Sequence, residues 1–126
     1  MKFSPLKIRA KVVRGAGRGK MLGIPTVNLD PKTAKGLKEG IYLCRVNLLK
    51  SFWGVLHFGP RPTFNEDSKS LEVYLLDFDE KMPITGELEV EVGKFIRRII
   101  KFESAGAMLK KIDHDIKIAR KLALRW

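Results

Sequence analysis

GAGRGKMLGIPTVNL, residues 15–29, is the stretch that decides the fold class. Four glycines without a Cβ let its first half turn sharply and bring backbone N–H groups close to a ligand. Its second half, from Thr26, has the pattern of a strand. In a P-loop or a dinucleotide-binding motif, the glycines instead lead into a helix whose N-terminus holds the phosphate. The sequence therefore argues against both of those α/β folds.

Other segments also predict strands, because they alternate apolar and polar residues or are rich in β-branched residues between glycine and proline turns. They are Lys7–Val13, Gly40–Leu48, Trp53–Phe58, Leu71–Phe78 and Glu87–Val92. Gly59–Phe64 contains two prolines, which remove ladder donors, so we expect an irregular segment there. A loop through Ser68 is expected to follow, and Lys94–Phe102 is expected to begin as a strand and end as a connector.

A single helix is predicted at the end of the chain. Ser104 is a plausible N-cap. After it, apolar residues recur at spacings of four and three, which places them on one helix face: Met108, Ile112, Ile116, Ala119 and Ala123. About six short strands and one helix predict a small antiparallel barrel with a C-terminal helix. We expect one domain over residues 1–126, with the barrel at about 5–103 and the helix at about 104–125.

Composition narrows the function classes. Cys44 is the one cysteine and lies in an apolar run, so it is expected to be buried, and no internal disulfide can form. With His57 and His114 as the two histidines, a zinc site of the usual Cys/His type cannot be assembled. No signal-peptide core or membrane-length apolar segment is present, so a cytoplasmic protein without membrane contact is expected, with a monomer as the default.

The formal net charge is +11 and is placed unevenly along the chain. Residues 1–22 and 94–126 each carry a net +7, while residues 23–93 carry −3. Such a balance is compatible with nucleic-acid binding, with general cationic character or with attraction of a nucleoside triphosphate. Composition alone does not separate these three interpretations.

The glycine loop carries the chemistry of an anion site. Arg18 and Lys20 add positive charge to a loop whose backbone can approach a phosphate chain. In the strand that follows, alternation makes Thr26 and Asn28 point the same way. Two neutral oxygens beside a phosphate loop suit Mg²⁺, which completes its octahedron with phosphates and water.

This stretch closely resembles the signature of riboflavin kinases (flavokinases), approximately Gly-x-Gly-Arg-Gly-x-x-Leu-Gly-x-Pro-Thr-x-Asn-Leu, without a gap from Gly15 to Leu29. Further stretches resemble family motifs and extend the similarity over nearly the whole chain, from about Val12 to Arg120. They are Gly40–Tyr42, Arg61–Phe64, Glu72–Phe78, Phe95–Arg97 and Ile112–Arg120.

The resemblance implies a six-stranded Greek-key barrel with a terminal helix, and Mg²⁺-dependent transfer of the ATP γ-phosphoryl group to the 5′-hydroxyl of riboflavin, giving FMN. It implies ATP binding by Gly15, Gly17, Arg18, Gly19, Lys20, Thr26 and Asn28. Thr26 and Asn28 would also hold the metal.

Glu72 matches the catalytic glutamate of the family, and strand alternation places it on the face opposite Leu71, Val73 and Leu75. A carboxylate is a natural base for an alkyl hydroxyl. Arg97 matches an arginine of the flavin-side loop. Phe102 and Trp53 are candidates for contact with the flavin ring, with burial in the core as the alternative.

The sequence departs from the family pattern at four places. His57-Phe58-Gly59 stands where Asn-Ile-Gly is common, and Tyr74 replaces a histidine. Arg98-Ile99-Ile100 replaces a more acidic segment, and Ala105-Gly106 stands where a leucine is usual. None of these touches the expected metal ligands or base, so we expect an active enzyme with altered flavin affinity or regulation.

Two alternatives remain open at this point: a basic RNA-binding barrel and a non-catalytic flavin-binding module. An RNA-binding barrel should carry aromatic platforms among its basic residues. The basic end segments contain few aromatics, so nucleic acid is not the expected partner. The Gly-Arg-Gly loop looks more like the ATP-using branch of the family than the archaeal branch that prefers CTP. Since no nucleotidyl-transfer segment precedes the barrel, we expect FMN synthesis without FAD synthesis.

Overall fold

The structure is a computed structural model that describes residues 5–14, 23–78, 84 and 86–126. It contains six strands followed by one helix: β1 (Leu6–Val13), β2 (Thr26–Leu29), β3 (Gly40–Asn47), β4 (Ser51–Arg61), β5 (Glu66–Leu75), β6 (Glu87–Arg97) and α1 (Ala105–Ala123). Short 3₁₀ turns lie at Pro31–Ala34 and Pro62–Phe64. The predicted glycine loop, residues 15–22, lies outside the described residues.

The six strands close into an antiparallel barrel in the order β1-β2-β5-β4-β3-β6. Strands β3, β4 and β5 follow one another as hairpins, and β6 returns to lie beside β3. This arrangement is a Greek key. The predicted fold class, a six-stranded antiparallel Greek-key barrel with a C-terminal helix, is confirmed.

Alternation along the strands separates an inner from an outer face. The inner face forms the barrel core, in which Val27, Leu29, Leu71 and Val73 are buried. Neighbouring residues on the same strands, such as Asn28, point outward because successive side chains alternate. Cys44 is fully buried, as the sequence predicts, and burial raises the pKa of its thiol well above the usual range.

Strand β4 is longer than predicted, and its pairing is irregular at Pro60. Gly59 pairs with Ser70 and Arg61 with Glu66. Between these two pairs, β4 has one residue, Pro60, and β5 has three, residues 67–69. Proline has no N–H to donate to the ladder, which is consistent with a register shift at this position. The predicted irregularity is confirmed, but the predicted end of the strand at Phe58 is wrong. The bend lets β4 reach Arg61 before the chain turns.

Strand β5 is displaced from its predicted position. It begins at Glu66 and ends at Leu75, so the predicted loop through Ser68 and the predicted strand end at Phe78 are both wrong. Pairing with the extended part of β4 draws Glu66 into the sheet. At the other end, Asp77 has φ of 56°, a left-handed conformation that cannot continue a strand.

The helix α1 packs on the outer face of the barrel. The Ser104 hydroxyl accepts a hydrogen bond from the Ala107 N–H at 3.1 Å, which confirms the predicted N-cap. The predicted apolar stripe is buried at Met108, Ile112, Ile116 and Ala119, while Ala123 is partly buried. A second apolar cluster thus lies between α1 and the outer face of β3, β4 and β5. Among the described residues, no helix is both long enough and apolar enough to cross a membrane.

Candidate active site

Three polar side chains lie side by side on neighbouring strands. Asn28 on β2 pairs with Glu72 on β5, and Glu72 pairs on its other side with His57 on β4. The flanking residues, Leu71 among them, point into the barrel core. The row Asn28–Glu72–His57 therefore lies on the outer face, where directly opposite side chains stand about 5 Å apart.

Glu72 is buried and paired. Only 2% of the residue is exposed. Its Oε1 accepts a hydrogen bond from Nη2 of Arg61 at 2.6 Å, and the Tyr74 hydroxyl also hydrogen-bonds the carboxylate. A carboxylate is tolerated in such a place because these partners replace the water it has lost. Its position is consequently well defined.

The side chains on either side of Glu72 have shifted pKa values. Burial, with the neighbouring Glu72 charge as the next cause, raises the pKa of Tyr74 to about 12. Burial, followed by the positive charge of Arg61, lowers the pKa of His57 to about 4. At neutral pH both groups are therefore uncharged. The Nε2 atom of His57 lies 3.0 Å from the Gly59 carbonyl, and since a carbonyl only accepts, Nε2 carries the proton.

An open polar cleft of about 250 Å³ lies on one side of Glu72. Its lining carries the cations Arg14, Arg61 and Lys69 together with Asn28 and Glu72. The remaining lining residues are Val13, Leu29, Pro31, Glu66, Ser70 and Leu71. We call this the polar cleft. The three cations outnumber the two carboxylates of the lining, those of Glu66 and Glu72, and a concave surface with a net positive charge favours an anionic ligand.

A narrower apolar pocket lies between the barrel and α1, with a volume of about 40 Å³. It is lined by Ile41, Val55, His57, Arg61, Pro62, Thr63, Phe64, Tyr74, Arg97, Ile99, Ile100, Phe102, Met108, Ile112 and Asp115. We call this the apolar pocket. Aromatic and branched side chains with a few polar groups are typical of a site for a flat organic ring. Arg61 belongs to the lining of both cavities.

The wall of the apolar pocket is fastened by an ion pair. Both Nε and Nη2 of Arg97 donate to the Asp115 carboxylate, at distances of 2.8 to 3.0 Å. Nη1 of Arg97 donates to the Arg98 carbonyl at 3.0 Å, and the guanidinium lies 5.6 Å from the Phe102 ring centre. Asp115 is fully buried. Arg97 thus joins the end of β6 to α1.

The donor set beside the polar cleft fits a magnesium ion better than a transition metal. In the part of the chain that the structure describes, no three His, Cys, Asp or Glu side chains cluster so as to hold a metal. Asn28 supplies a neutral oxygen next to the Glu72 carboxylate, and Thr26 shares its outward face. Magnesium usually takes few protein oxygens and completes its shell with phosphates and water.

Comparison with known proteins decides the family. The sequence model of the flavokinase family, described as riboflavin kinase, matches residues 2–123. The chain belongs to the riboflavin kinase family. This family membership is the one the sequence predicts from its motifs.

Relatives carry the same module within longer proteins. The chain is 34% identical over 92% of its length to the bifunctional riboflavin kinase/FMN adenylyltransferase of Haemophilus influenzae, of which it spans 38%. It is 35% identical over 90% of its length to the RNA-binding riboflavin kinase RibR of Bacillus subtilis, of which it spans 50%. A crystal structure of riboflavin kinase from Trypanosoma brucei superposes with a TM-score of 0.63, 20% identity and coverage of 97% of this chain and 82% of that one. At that identity, the superposition shows the fold alone.

The structure brings together part of the site that the family motifs predict. Asn28 and Glu72 are adjacent and line the polar cleft. Thr26 lies opposite Tyr74 on the same face but is not among the residues that line the cleft. The predicted flavin contacts Arg97 and Phe102 line the apolar pocket. Gly15, Gly17, Arg18, Gly19 and Lys20 lie outside the described residues, which resume at Gly23.

Sequence reasoning missed two residues that hold the site together. The family-like motif contains Arg61 as its first residue but does not indicate its contact with Glu72. The family-like helix contains Asp115 but does not indicate its contact with Arg97. The sequence does contain an indication that Asp115 has a buried partner, because Asp115 falls between Ile112 and Ile116 on the buried stripe of α1. A charge on an apolar stripe needs a buried partner.

Proposed function

We propose that this chain is a riboflavin kinase that transfers the γ-phosphoryl group of ATP to the 5′-hydroxyl of riboflavin. The observation that supports this most strongly is the position of Glu72. Its buried carboxylate faces the polar cleft, and its partner Arg61 also lines the apolar pocket. A base at the junction of a cationic cleft and an apolar pocket suits transfer between a triphosphate and a ring-bearing alcohol.

We assign the triphosphate to the polar cleft. Arg14 and Lys69 would neutralise its charge at the cleft wall. The glycine loop directly follows Arg14 in the chain, and its residues Gly15, Gly17, Arg18, Gly19 and Lys20 would supply backbone N–H groups and further charge. Asn28 and Thr26 would hold Mg²⁺, which when bound neutralises phosphate oxygens and aligns them for displacement.

We assign the flavin ring to the apolar pocket. Phe102 and Phe64 offer aromatic surface there, and Ile99 and Ile100 contribute apolar walls. The cavity of about 40 Å³ is too narrow for a three-ring system. Flavin binding therefore requires the connector 98–104 between β6 and α1 to move outward. The ion pair of Arg97 with Asp115 would keep one end of that connector in place.

In the proposed reaction, the 5′-hydroxyl gives its proton to the Glu72 carboxylate as the new bond forms between its oxygen and the γ-phosphorus. The bond from that phosphorus to the bridging oxygen breaks, and its electron pair stays on the β-phosphate of ADP. An alkyl hydroxyl is a poor nucleophile, so removal of the proton assists the attack.

One assay tests the proposal. The purified chain is incubated with riboflavin, Mg²⁺ and either ATP or CTP, and the flavins are separated by chromatography. We expect FMN to form with ATP, to form more slowly with CTP and to disappear when EDTA removes the Mg²⁺. Riboflavin binding without any FMN would instead indicate a non-catalytic flavin-binding module. We also propose that the protein is cytoplasmic and monomeric. Light scattering after gel filtration would test the oligomeric state.

RNA binding is the second candidate function, and two observations favour keeping it. The net charge is +11, and one relative is named as an RNA-binding riboflavin kinase. Against it, the large hydrophobic residues exposed in the described part of the chain include a single aromatic, Phe95, and stacking on aromatics is how small barrels commonly bind single strands. Anisotropy of a labelled RNA at about 50 and 200 mM salt would test it, because phosphate contacts weaken steeply with salt.

A further inference from the structure

Arg61 occupies the wall that the polar cleft and the apolar pocket share. Its side chain is only 8% exposed, and its Nη2 lies 2.6 Å from Oε1 of Glu72. The carboxylate oxygen that would accept the riboflavin proton is therefore engaged by a cation. Arg61 thus lies between the cavity assigned to the triphosphate and the cavity assigned to the flavin, where the phosphoryl group would be transferred.

The backbone holds Arg61 at this place. It is the last residue of β4 and lies between Pro60 and Pro62, which limit the conformations of this segment. Beyond the irregularity at Pro60, Arg61 pairs with Glu66 of β5. A residue fixed in this way can direct a long side chain back along the sheet towards Glu72. An arginine placed by chance on a mobile loop would lack this restraint.

We propose that Arg61 is a catalytic residue whose guanidinium contacts the phosphoryl group during its transfer. The proposal rests on the function proposed above. As the hydroxyl proton moves to Oε1 of Glu72, the hydrogen bond from Nη2 to that oxygen weakens, and the guanidinium charge becomes available to the oxygens of the transferred group. Arg61 itself forms and breaks no covalent bond. Its five N–H donors exceed what the Glu72 carboxylate and the Tyr74 hydroxyl require.

A simpler role for Arg61 is to neutralise the buried Glu72 and hold it in position. The two roles make different predictions when Glu72 is absent. A residue that acts only through Glu72 has no further effect once the carboxylate is replaced. A residue that contacts the phosphoryl group still contributes in the Glu72→Gln background, as a double-mutant cycle would show.

The experiment compares Arg61→Gln, Arg61→Lys, Glu72→Gln and the double variant Arg61→Gln/Glu72→Gln. The readout is single-turnover transfer of label from γ-labelled ATP to riboflavin, which detects slow variants. Arg45→Gln is the control, because Arg45 also forms a 2.6 Å ion pair with a buried glutamate, Glu91, although the Arg45 side chain is 34% exposed and that of Arg61 only 8%. Neither Arg45 nor Glu91 lines the polar cleft or the apolar pocket.

We expect Arg61→Gln to slow transfer by about 100-fold or more, the scale for loss of a group that stabilises transition-state charge. In the Glu72→Gln background, the same change should slow transfer by at least about tenfold again. Arg61→Lys should be intermediate, because lysine keeps the charge but not the planar fork. Arg45→Gln should stay within about threefold of the original rate.

Three outcomes would refute either the proposed function or the catalytic role of Arg61, and they can be told apart. No FMN from the unaltered chain would refute the proposed function, and the role of Arg61 with it. FMN from the unaltered chain together with an Arg61→Gln rate within about threefold would refute the role of Arg61 alone. Equal transfer rates for Glu72→Gln and for the double variant would also refute the role of Arg61 alone. If Arg61→Gln fails to fold because Glu72 is left unpaired, the double variant and Arg61→Lys, which leave no unpaired carboxylate, decide the question.

Discussion

Asn28 and Glu72 are paired directly across the ladder of β2 and β5, and both line the polar cleft. A neutral amide oxygen and a carboxylate thus lie side by side on the outer face of the barrel. Neither residue type is unusual in a strand when taken alone. Their pairing supplies the neighbouring amide and carboxylate oxygens that the proposed metal site and base require.

Replacing Glu72 by glutamine should lower kcat for FMN formation by about 100-fold or more, because a positioned base contributes roughly 10²–10⁴ to such a reaction. Binding of riboflavin and ATP should persist in the folded variant, since glutamine keeps the shape of the side chain and its amide oxygen can still accept from Arg61, although loss of the counter-charge of the buried Arg61 should lower stability. Glu91→Gln is the control, as Glu91 is also buried and ion-paired on a strand. Steady-state kinetics and flavin-fluorescence titration measure both effects. A Glu72→Gln enzyme with a near-original rate would show that Glu72 is not the base.

Replacing Asn28 by alanine should raise the Mg²⁺ concentration needed for half-maximal rate by about tenfold or more, since lost support of a metal site typically costs 10–100-fold. Riboflavin affinity should not change, because Asn28 lines only the polar cleft. Asn47→Ala on β3 is the control. Asn47 donates to Glu89 and lies on another part of the sheet. An unchanged Mg²⁺ dependence for Asn28→Ala would remove Asn28 from the metal site.

Replacing Asp115 by asparagine should lower the free energy of unfolding by about 3–5 kcal/mol, because it leaves the largely buried guanidinium of Arg97 without its counter-charge. Asp77→Asn is the matched control. Asp77 forms a comparable pair with Arg120, but the side chains are 76% and 50% exposed, and such pairs contribute less than about 1 kcal/mol. Urea denaturation followed by circular dichroism measures both. Equal losses for the two variants would show that burial of the Arg97 pair does not matter.

Stability should depend on pH through His57. Its pKa of about 4 in the folded chain lies below the ordinary value of 6.5, so between these values the unfolded chain binds more protons than the folded chain. Stability therefore falls as pH decreases from 6.5 towards 4, by about 3 kcal/mol from this residue.

The measurement for this prediction is urea denaturation at pH 7 and pH 4 for the unaltered chain and for His57→Asn. The decrease should be smaller in His57→Asn by about 3 kcal/mol. His114→Asn, on the exposed face of α1, retains His57 and should keep the full decrease. A pH dependence that is identical in the unaltered chain and in His57→Asn would contradict the burial of a neutral imidazole.

The barrel was predictable to a large extent, and the errors have a common cause. Alternation predicted β1, β2 and β6, and the spacing of apolar residues predicted the buried stripe of α1. The predicted strand end at Phe58 and the predicted loop through Ser68 are wrong because pairing between β4 and β5 continues past Pro60 to Arg61 and Glu66. Local preference argued against a strand there, and long-range hydrogen bonding outweighed it.

The sequence by itself determined which face of each strand is apolar, that Cys44 and the stripe of α1 are buried, and that Glu72 points away from the barrel core. These properties follow from the periods of strand and helix, which are local. Only the tertiary structure decided that Glu72 lies between Asn28 and His57, that Arg61 is its partner, and that Asp115 holds Arg97. Those contacts depend on strand register and on where α1 docks, and both are set by packing between residues far apart in the chain.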